Sequence, residues 1–353
     1  MMDKSLYNLR ISSHETLLSP NDLYAAHPAG DTCRQTVLAG RQAVCDILDR
    51  KDKRKIIVVG PCSIHDPEAA LDYARRLKAL ADEVQDTFLI IMRVYFEKPR
   101  TTVGWKGLIN DPDLNDSFDM QKGLHIARKL LIDINEMGLP AGTEALDPIS
   151  PQYIGDLISW TAIGARTAES QTHREMSSGL STPVGFKNST DGSLDVAINA
   201  IESASRPHSF LGIDANGQIA ITRSKGNPHG HIVLRGGNQG SNYDSVNIAL
   251  CTAALHQKGL PANLIIDCSH ANSNKDPQRQ PLVMKDVIQQ IAAGNQDILG
   301  VMLESHIHGG TQKLGDNPAA LAYGISITDG CIDWETTAAC IREARQLLQE
   351  HHA

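Results

Sequence analysis

The sequence predicts an α/β fold, a (β/α)8 barrel, and three observations support this prediction. Short apolar runs alternate with longer amphipathic stretches from Lys55 onward, which is typical of a parallel sheet whose strands are joined by helices. Eight such runs can be counted, the strand number of a closed parallel barrel. A chain of 353 residues also has a suitable length for one barrel with insertions.

The eight apolar runs give the expected positions of the strands. They cover residues 56–59, 88–92, 139–143, 161–165, 183–186, 231–234, 264–266 and 298–303. Two helices between them carry clear start signals, because Asp66-Pro67 and Ser150-Pro151 place a polar residue before a proline at the first helical position. Gly138 is a suitable helix stop before the third run, which is the weakest of the set.

Three segments lie outside this regular alternation. The first fifty residues precede the first strand and contain a helix-like pattern over 32–48, so residues 1–50 are predicted to form an N-terminal arm and residues 51–353 the barrel. An inserted β-hairpin is predicted at about 207–226, because two short β-like runs flank the turn signal Asp214-Ala215-Asn216-Gly217. The stretch 97–116 is too long for an ordinary connection and is expected to be a functional loop.

The composition argues against several classes of function. The formal net charge is −8 and the pI about 5.9, whereas nucleic acid and anionic membrane surfaces require clustered surplus Lys and Arg. No apolar run is long enough for a spanning helix and no signal-like segment begins the chain, so a cytoplasmic protein is expected. The seven cysteines are odd in number and form no Cys-x-x-Cys pair, which argues against a disulfide framework.

Charged and metal-ligating side chains follow almost every predicted strand. A barrel brings the carboxyl ends of its strands to one face, where the active sites of barrel enzymes lie. The residues that close the runs are Cys62, Arg93, Glu144, Arg166, Lys187, Arg235, Asp267 and Glu304. Lys98 and Arg100 on the adjoining loop bring the cations of this face to six. Each alone could be an ordinary surface or ion-paired cation, but together they predict a pocket for small, strongly anionic, phosphorylated substrates.

A metal site at the same face is a further possibility that the residues alone leave open. Four residues with suitable donor atoms are Cys62, His270, Glu304 and Asp329. Their spacing matches no short zinc pattern, and a buried cysteine is more often a small packing residue. A mixed set of sulfur, nitrogen and oxygen donors would suit a borderline transition ion better than Mg²⁺ or Ca²⁺. His306 and His308 alternate beyond the last strand and are expected to face solvent.

At these positions the sequence resembles a known family. The matching segments, in chain order, are VGPCSIHD at 59–66, MRVYFEKPRTT at 92–102, GART at 164–167, GFKN at 185–188, LRGG at 234–237, DCSHAN at 267–272 and SITD at 326–329. They are similar to segments of the class I, feedback-regulated 3-deoxy-D-arabino-heptulosonate 7-phosphate (DAHP) synthases. The resemblance implies a barrel enzyme that condenses phosphoenolpyruvate with erythrose 4-phosphate and water to give DAHP and phosphate, the first step of the shikimate pathway to the aromatic amino acids.

The resemblance also implies roles for individual residues. The residues that bind phosphoenolpyruvate would be Arg93, Lys98, Glu144, Arg166, Lys187 and Arg235, with Glu144 acting through water. Those that bind erythrose 4-phosphate would be Pro99, Arg100, Thr101 and Asp329. A divalent ion of the Mn, Fe, Co or Zn class would be held by Cys62, His270, Glu304 and Asp329, and no organic cofactor is expected. The catalytic residues would be Lys98, Cys62 and His270, with Lys98 protonating the developing alkoxide or acting only through its charge.

The resemblance further implies feedback regulation. The N-terminal arm and the hairpin resemble the regulatory and oligomerisation elements of the family, so a homodimer or homotetramer is expected. An aromatic amino acid would bind away from the barrel mouth, at Pro151, Gln152, Ser181, Phe210 and Gly212. Tyrosine is the expected inhibitor, because Gly212 leaves space for a ring hydroxyl where phenylalanine-inhibited relatives have Ser, and TEALDP at 143–148 is similar to tyrosine-inhibited members. The alternative is a hairpin that only supports a subunit interface.

Two other functions compete with this interpretation. A related phosphoenolpyruvate condensing enzyme that accepts arabinose 5-phosphate would share the barrel, but the segment KPRTT at 98–102 and the N-terminal arm argue against it. A non-catalytic sensor for an aromatic amino acid would be free to lose a ligand, yet all the metal candidates and all six cations are present. Departures from the family pattern at 188–190, 235–241 and 329–331 concern loops and remove no proposed ligand.

Overall fold

Eight parallel strands close into a barrel in this computed structural model, which describes residues 6–100, 102–315 and 317–352. The barrel strands are β1 (Lys55–Gly60), β2 (Phe88–Arg93), β3 (Ala141–Glu144), β4 (Trp160–Ile163), β5 (Val184–Lys187), β8 (Gly230–Leu234), β9 (Leu264–Asp267) and β10 (Ile298–Glu304). They neighbour one another in chain order, and β1 pairs with β10 to complete the ring. The predicted barrel is therefore confirmed, with each strand found where an apolar run predicted it.

The remaining two strands form the predicted insertion. Strands β6 (Ser209–Ile213) and β7 (Ile219–Arg223) pair with each other in antiparallel orientation. They follow β5 and precede β8 in the sequence, and they form a separate two-stranded sheet outside the barrel. Asp214 closes the turn, because its carboxylate accepts hydrogen bonds from the backbone of Asn216 and Gln218. Leu211, Ile219 and Ile221 are exposed on this hairpin.

Ten α-helices surround or close the barrel within the described part of the chain. They are α1 (Pro20–Ala26), α2 (Asp31–Leu48), α3 (Pro67–Val84), α4 (Met120–Glu136), α5 (Pro151–Ile154), α6 (Gln171–Gly179), α7 (Asp195–Ala204), α8 (Ser245–Gln257), α9 (Gln280–Ala292) and α10 (Trp334–His352). Asp66 caps α3 as its sequence signal predicted, since its carboxylate accepts from the backbone of Glu68 and Ala69. None of these described helices combines the length and the apolar character required to cross a membrane.

A large aromatic side chain fills the interior of the barrel. Trp160 is fully buried there and donates its indole N–H to Nε2 of His231 over 3.0 Å. Two glycines on the flanking strands provide the room: a Cβ on Gly185 would lie 2.7 Å from Trp160 Cζ2, and one on Gly142 would lie 3.1 Å from Trp160 Cε3. The interior is consequently a packed core, and the open space lies at the strand ends.

Helix α2 closes the amino-terminal end of the barrel. Its residues Val44, Ile47 and Leu48 belong to the same buried cluster as Trp160 and the inward side chains of the strands. Arg41 fixes the helix to the barrel, because its guanidinium donates to the backbone oxygens of Gly155 and Ile158. The second half of the predicted N-terminal arm is thus packed against the core, while the division at residue 50 stays a prediction.

Candidate active site at the carboxyl end of the barrel

A pocket of about 520 Å³ opens where the barrel strands end. All six cations that the sequence placed at this face line it: Arg93, Lys98, Arg100, Arg166, Lys187 and Arg235. The same pocket is lined by Glu144, His270, Glu304 and Asp329. The parallel strands therefore bring together side chains that are up to about 240 positions apart in the sequence, as expected for a barrel.

Arg93 is the most deeply buried of these cations. Its Nε donates to the backbone oxygen of Pro61 over 3.1 Å, and its Nη2 donates to Cys62 O over 3.2 Å and to Glu304 Oε1 over 2.9 Å. Glu304 is fixed in turn, since the side chain of Gln280 bonds both its backbone N–H and its backbone oxygen. Nη1 of Arg93 has no hydrogen-bond partner among the described residues. The guanidinium is thus held along one edge and has hydrogen-bonding capacity left for a ligand.

A second buried ion pair organises the opposite side of the pocket. Lys187 Nζ lies 2.9 Å from Asp267 Oδ2, and the same oxygen lies 2.9 Å from His270 Nδ1. Burial alone would raise the pKa of Asp267, but Lys187 and His270 hold it well below its usual range. The carboxylate therefore stays charged and orients both the ammonium and the imidazole.

Cys62, Glu304 and Asp329 form the group that fits a metal ion. One donor atom from each lies within 4.8 Å of the others, although neither the thiol nor the carboxylates are close in sequence. Lys98 Nζ lies 3.2 Å from Cys62 Sγ, and Cys62 Sγ lies 3.5 Å from Asp329 Oδ2. Burial raises the pKa of the Cys62 thiol to about 11, with Glu304 adding to the effect. A thiol beside two carboxylates is a donor set that suits a borderline transition ion.

His270 is not part of that three-residue group, although the resemblance to the family implied it as a fourth ligand. Its Nδ1 faces Asp267, and its backbone adopts a φ of 54°, which is uncommon for a residue other than glycine. A histidine that ligates a metal usually bonds a carboxylate through its other ring nitrogen. The orientation of His270 is therefore compatible with ligation through Nε2.

Lys98 lies between the cations and the metal-ligating group. Burial works against its charge, yet Cys62, Glu304 and Asp329 raise the pKa of its ammonium overall. Pro99 and Arg100 follow it at the rim, where the Arg100 guanidinium donates to Trp105 O over 2.7 Å. Thr101, the remaining candidate on this loop, lies outside the described residues. The loop is ordered by its own contacts, since Trp105 is buried in the large apolar cluster and donates its indole N–H to Asp111 O within the same loop.

Arg166 and Arg235 line the side of the pocket that is open to solvent. Arg166 is exposed and makes no ion pair or hydrogen bond among the described residues. The backbone of Arg235 is held by the loop that follows β5, because Asn188 Oδ1 accepts from the Arg235 N–H over 2.8 Å. Gly236 follows with a φ of 70°, and a Cβ at this position would lie 2.8 Å from that of Ala271. The glycine allows the loop to pass close to the β9 loop.

Glu144 is buried at the end of β3, and its Oε1 has no partner among the described residues. A Cβ on Gly164 would lie 2.4 Å from this oxygen, so the carboxylate packs directly on the glycine. Glu144 lines the 520 Å³ pocket and also a second pocket of about 330 Å³. One carboxylate thus belongs to the walls of both.

The second pocket contains part of the predicted regulatory site. Pro151, Gln152 and Ser181 line it, together with Tyr24 and Arg41 from the N-terminal helices. Phe210 and Gly212 are not among its lining residues. The Phe210 ring does lie beside Gly179, and Gly179 lines the pocket. A Cβ on Gly212 would lie 2.7 Å from Thr222 Oγ1 across the hairpin, so this glycine faces its partner strand. The structure therefore brings three of the five predicted residues into one cavity.

Three features of the site were missed or misjudged from the sequence. The Tyr95 ring lies against the Arg93 guanidinium, and the buried Glu97 has a pKa raised by burial to about 7. The prediction for His306 was wrong: it is 2% exposed, and burial lowers its pKa to about 4, whereas His308 is exposed as expected. The rings of His65 and Tyr73 lie against His306, and its backbone N–H donates to Ile332 O. These neighbours are distant in sequence, so the alternation of residues beyond the strand end could not predict the burial.

The fold and the pocket define this protein as a (β/α)8-barrel enzyme with a strongly cationic active site. Its sequence matches the DAHP synthetase I family over residues 29–342, and the chain belongs to that family. It is 55% identical over 348 residues to "Phospho-2-dehydro-3-deoxyheptonate aldolase, Tyr-sensitive" of Salmonella typhimurium, covering 99% of this chain and 98% of the relative. It is 54% identical over 336 residues to the Phe-sensitive protein of Escherichia coli K12, covering 95% of each.

The solved structures agree with this assignment. The structure of phospho-2-dehydro-3-deoxyheptonate aldolase from Francisella tularensis superimposes with a TM-score of 0.94 at 46% sequence identity, over 97% of this chain and 100% of that one. The fold of a Thermotoga maritima protein of the same name is also similar, with a TM-score of 0.55 at 18% identity, over 85% of this chain and 70% of that one. The family resemblance inferred from the sequence motifs is therefore confirmed.

Proposed function

We propose that this protein condenses phosphoenolpyruvate with erythrose 4-phosphate and water to give DAHP and inorganic phosphate, the reaction of its family. The observation that carries the proposal is the convergence of six cations on one pocket beside a thiol and two carboxylates. Phosphoenolpyruvate is a small polyanion. Guanidinium and ammonium side chains bind its phosphate and carboxylate through charge-assisted hydrogen bonds. The relatives bear the name of this activity.

The residues have distinct roles in the proposed reaction. Arg93, Arg166, Lys187 and Arg235 bind the phosphate and carboxylate of phosphoenolpyruvate, while Pro99, Arg100 and Thr101 hold the phosphate end of erythrose 4-phosphate. The enol carbon attacks the aldehyde carbon, water adds at C2, and phosphate leaves by C–O cleavage. The fixed cations stabilise the charge on the substrate and on the departing phosphate. Glu144, whose Oε1 has no described partner, orients phosphoenolpyruvate through water.

Lys98 is proposed as the proton donor. Its ammonium is buried beside the metal-ligating group, and nearby negative groups keep it protonated. It therefore gives a proton to the aldehyde oxygen as that oxygen becomes an alkoxide. Asp329 lines the same pocket and would bind erythrose 4-phosphate as well as hold the ion.

Cys62, Glu304 and Asp329 are proposed to hold a divalent ion, with His270 as the fourth ligand. When bound, the ion would act as a Lewis acid on the aldehyde. The thiol favours Mn, Fe, Co or Zn over Mg²⁺ or Ca²⁺. Ligation requires the Cys62 proton to leave, and the adjacent Lys98 stabilises the resulting thiolate.

Phosphate release gives a direct test of the proposed activity. Mixing both substrates with the protein should release inorganic phosphate, and omitting either substrate should abolish the release. A chelator should stop the reaction, and adding back Mn²⁺ or Fe²⁺ should restore it. Turnover of arabinose 5-phosphate in place of erythrose 4-phosphate would contradict the assignment of the second substrate. Full activity in metal-free protein would contradict the proposed requirement for a divalent ion.

We further propose that tyrosine inhibits the enzyme by binding in the second pocket. Its volume of about 330 Å³ suits one amino acid, and its lining includes Ser150, Gln152 and Ser181 as hydrogen-bonding groups. The pocket shares Glu144 with the active site, which gives the two sites a common wall. Measured separately, tyrosine should lower the initial rate more than phenylalanine or tryptophan. Stronger inhibition by phenylalanine would contradict the assignment of tyrosine, which no longer rests on Gly212 because this glycine does not line the pocket.

The N-terminal arm and the hairpin are proposed to support regulation and assembly. Tyr24 of α1 lines the second pocket and donates to Gln152 O over 2.6 Å, and the hairpin exposes Leu211, Ile219 and Ile221. Exposed apolar side chains of this kind on one strand pair are typical of a subunit interface. Light scattering should therefore give the mass of a homodimer or homotetramer, and a monomer at working concentration would contradict this proposal.

A further inference from the structure

The hydrogen bonds of Arg93 fix only one edge of its guanidinium. Pro61 O, Cys62 O and Glu304 Oε1 all accept from Nε or Nη2, and Nη1 is buried without a described partner. Bonds along a single edge leave the plane free to tilt about that edge. A further contact is required if Nη1 is to keep one direction.

The Tyr95 ring supplies that contact. The guanidinium carbon of Arg93 lies 3.7 Å from the centre of the ring, so the cation rests on the aromatic face. Tyr95 is fully buried and packs in the barrel interior in the same cluster as Trp160 and Met302. Its backbone is also fixed, because its carbonyl oxygen accepts from the Ile64 N–H over 2.9 Å. The ring is therefore a rigid surface, held by the core and by the loop that carries Cys62.

We propose that Tyr95 is a positioning residue for phosphoenolpyruvate binding, whose ring keeps the Arg93 plane aligned so that Nη1 faces the substrate. The inference rests on the proposed function in one respect, the assignment of Arg93 to phosphoenolpyruvate. Tyr95 acts through Arg93 and does not itself touch the reacting atoms. Leucine, a smaller aliphatic residue, would fill most of the space but would provide no aromatic face for the cation.

The Tyr95 hydroxyl allows the ring to be tested separately. This hydroxyl is buried and has no hydrogen-bond partner among the described residues. Tyr95→Phe keeps the ring and removes only the hydroxyl, whereas Tyr95→Leu removes the ring. If the ring is the functional part, the two variants must differ in their affinity for phosphoenolpyruvate.

Steady-state kinetics of the metal-loaded enzyme provides the test. Tyr95→Leu should raise KM for phosphoenolpyruvate by about tenfold or more, which corresponds to the loss of a desolvated cation–π contact. Its kcat/KM for phosphoenolpyruvate should fall by at least the same factor, whereas its KM for erythrose 4-phosphate should change by less than roughly threefold, because Arg93 is assigned to the first substrate alone. Tyr95→Phe should stay within roughly threefold of the parent in all constants.

A double-mutant cycle links the effect to Arg93. In an Arg93→Lys background, Tyr95→Leu should raise KM for phosphoenolpyruvate by less than about twofold, because an ammonium has no plane to align. Leu89→Ala is the matched control, since it removes a side chain from the same buried cluster without touching Arg93. It should lower Tm and leave KM for phosphoenolpyruvate unchanged.

Three results would overturn the inference. They are an unchanged KM for phosphoenolpyruvate in Tyr95→Leu, an equal rise of KM for both substrates, and an equal loss in Tyr95→Phe, which would assign the effect to the hydroxyl. Calorimetry with phosphoenolpyruvate alone separates this inference from the proposed reaction. If the parent binds phosphoenolpyruvate but makes no DAHP, the proposed reaction is wrong. In that case, weaker phosphoenolpyruvate binding by Tyr95→Leu would still support the role of the ring. Absence of binding to the parent would contradict both.

Discussion

At the scale of single residues, the cations of the pocket differ in how much of their charge the protein itself satisfies. Arg93 and Lys187 are buried and each pairs with a carboxylate, so removing either would leave a buried charge without its partner. Arg166 is exposed to the pocket and pairs with none of the described residues. It is therefore the cation whose removal reports on ligand binding with little effect on folding.

Arg166→Ala should lower kcat/KM for phosphoenolpyruvate by about one to two powers of ten, since it deletes charge-assisted hydrogen bonds of about 1.5–3 kcal/mol each. Arg166→Lys should recover only part of this loss, because an ammonium lacks the planar fork. Steady-state assays with varied phosphoenolpyruvate measure the effect. Arg223→Ala on the hairpin is a suitable control, and parent kinetics in Arg166→Ala would refute the role of this residue.

Cys62→Ala should remove bound metal and lower activity by at least about a hundredfold while the barrel stays folded. The physical reason is the loss of the sulfur donor, which leaves two carboxylates beside Lys98. Elemental analysis and initial rates provide the measurement. Cys340→Ala, which changes a half-buried thiol on α10, should retain both metal and activity. Retention of metal by Cys62→Ala would count against the ligand assignment.

Glu97 should make the protein less stable as the pH rises. Its pKa is about 7 when folded because it is buried, against 4.5 for an unperturbed glutamate. The folded state therefore holds the proton more tightly, and stability present below pH 4.5 is lost as the pH rises towards 7, by about 2–3 kcal/mol. Denaturant unfolding between pH 5 and 8 should show this loss in the parent and a smaller loss in Glu97→Gln. Equal pH slopes in the two proteins would contradict the shift.

At the scale of secondary-structure elements, the barrel wall depends on small residues where large inward side chains meet it. Gly185 in β5 faces Trp160, Val233 and His231, and a Cβ there would approach them to 2.7, 2.8 and 3.0 Å. The neighbouring atoms belong to packed core side chains, so they can move only by disturbing the interior. Strand β5 therefore tolerates no added methyl group at this position without strain.

Gly185→Ala should destabilise the protein by about 1–3 kcal/mol through overpacking. Gly155→Ala is the matched control, because a Cβ at Gly155 has no atom within 4 Å and the backbone there is helical. It should leave stability unchanged or slightly higher. Thermal unfolding of both variants measures the difference. Equal Tm values for the two variants would show that the interior can adapt.

The strands and their terminal residues could be predicted from sequence because both depend on local pattern. Apolar runs mark buried parallel strands, and the topology of a barrel then places their carboxyl ends together. The contact between Tyr95 and Arg93, the burial of His306 and the raised pKa of Glu97 could not be predicted in this way. Each depends on which distant segment covers a side chain, as Ser150 covers Glu97 through a hydrogen bond of 2.7 Å.

At the scale of the whole molecule, the active-site pocket and the second pocket lie on two sides of the wall that includes β3, and Glu144 belongs to both. A ligand in the second pocket can influence catalysis only if it favours one state of this wall over another. The hydrogen bond from Tyr24 to Gln152 O also connects α1 to the second pocket. The N-terminal helices are thus placed to take part in such a response.

Ser181→Leu should weaken inhibition by tyrosine, because it reduces the volume of the second pocket, while kcat should stay within roughly threefold of the parent. The expected rise in the inhibition constant is about 5- to 150-fold, which corresponds to about 1–3 kcal/mol of steric overpacking against the bound amino acid. Initial rates at several tyrosine concentrations measure it. Ser203→Leu, outside the lining of this pocket, is the control. Unchanged inhibition in Ser181→Leu would place the tyrosine site elsewhere.

The position of α2 has a consequence for the order in which the chain can fold during synthesis. Val44, Ile47 and Leu48 leave the ribosome early, but their cluster includes Val233, Ile265, Leu299 and Met302, which are made about 190 to 260 residues later. Until the last strands appear, this apolar helix face is covered only in part, by the earlier strands β1 and β2, whose residues Ile56, Val58, Leu89 and Ile91 belong to the same cluster. Contacts so distant in sequence slow folding and leave incomplete chains prone to aggregation. Yield of the protein from cells should therefore depend on chaperone capacity more than its final stability would suggest.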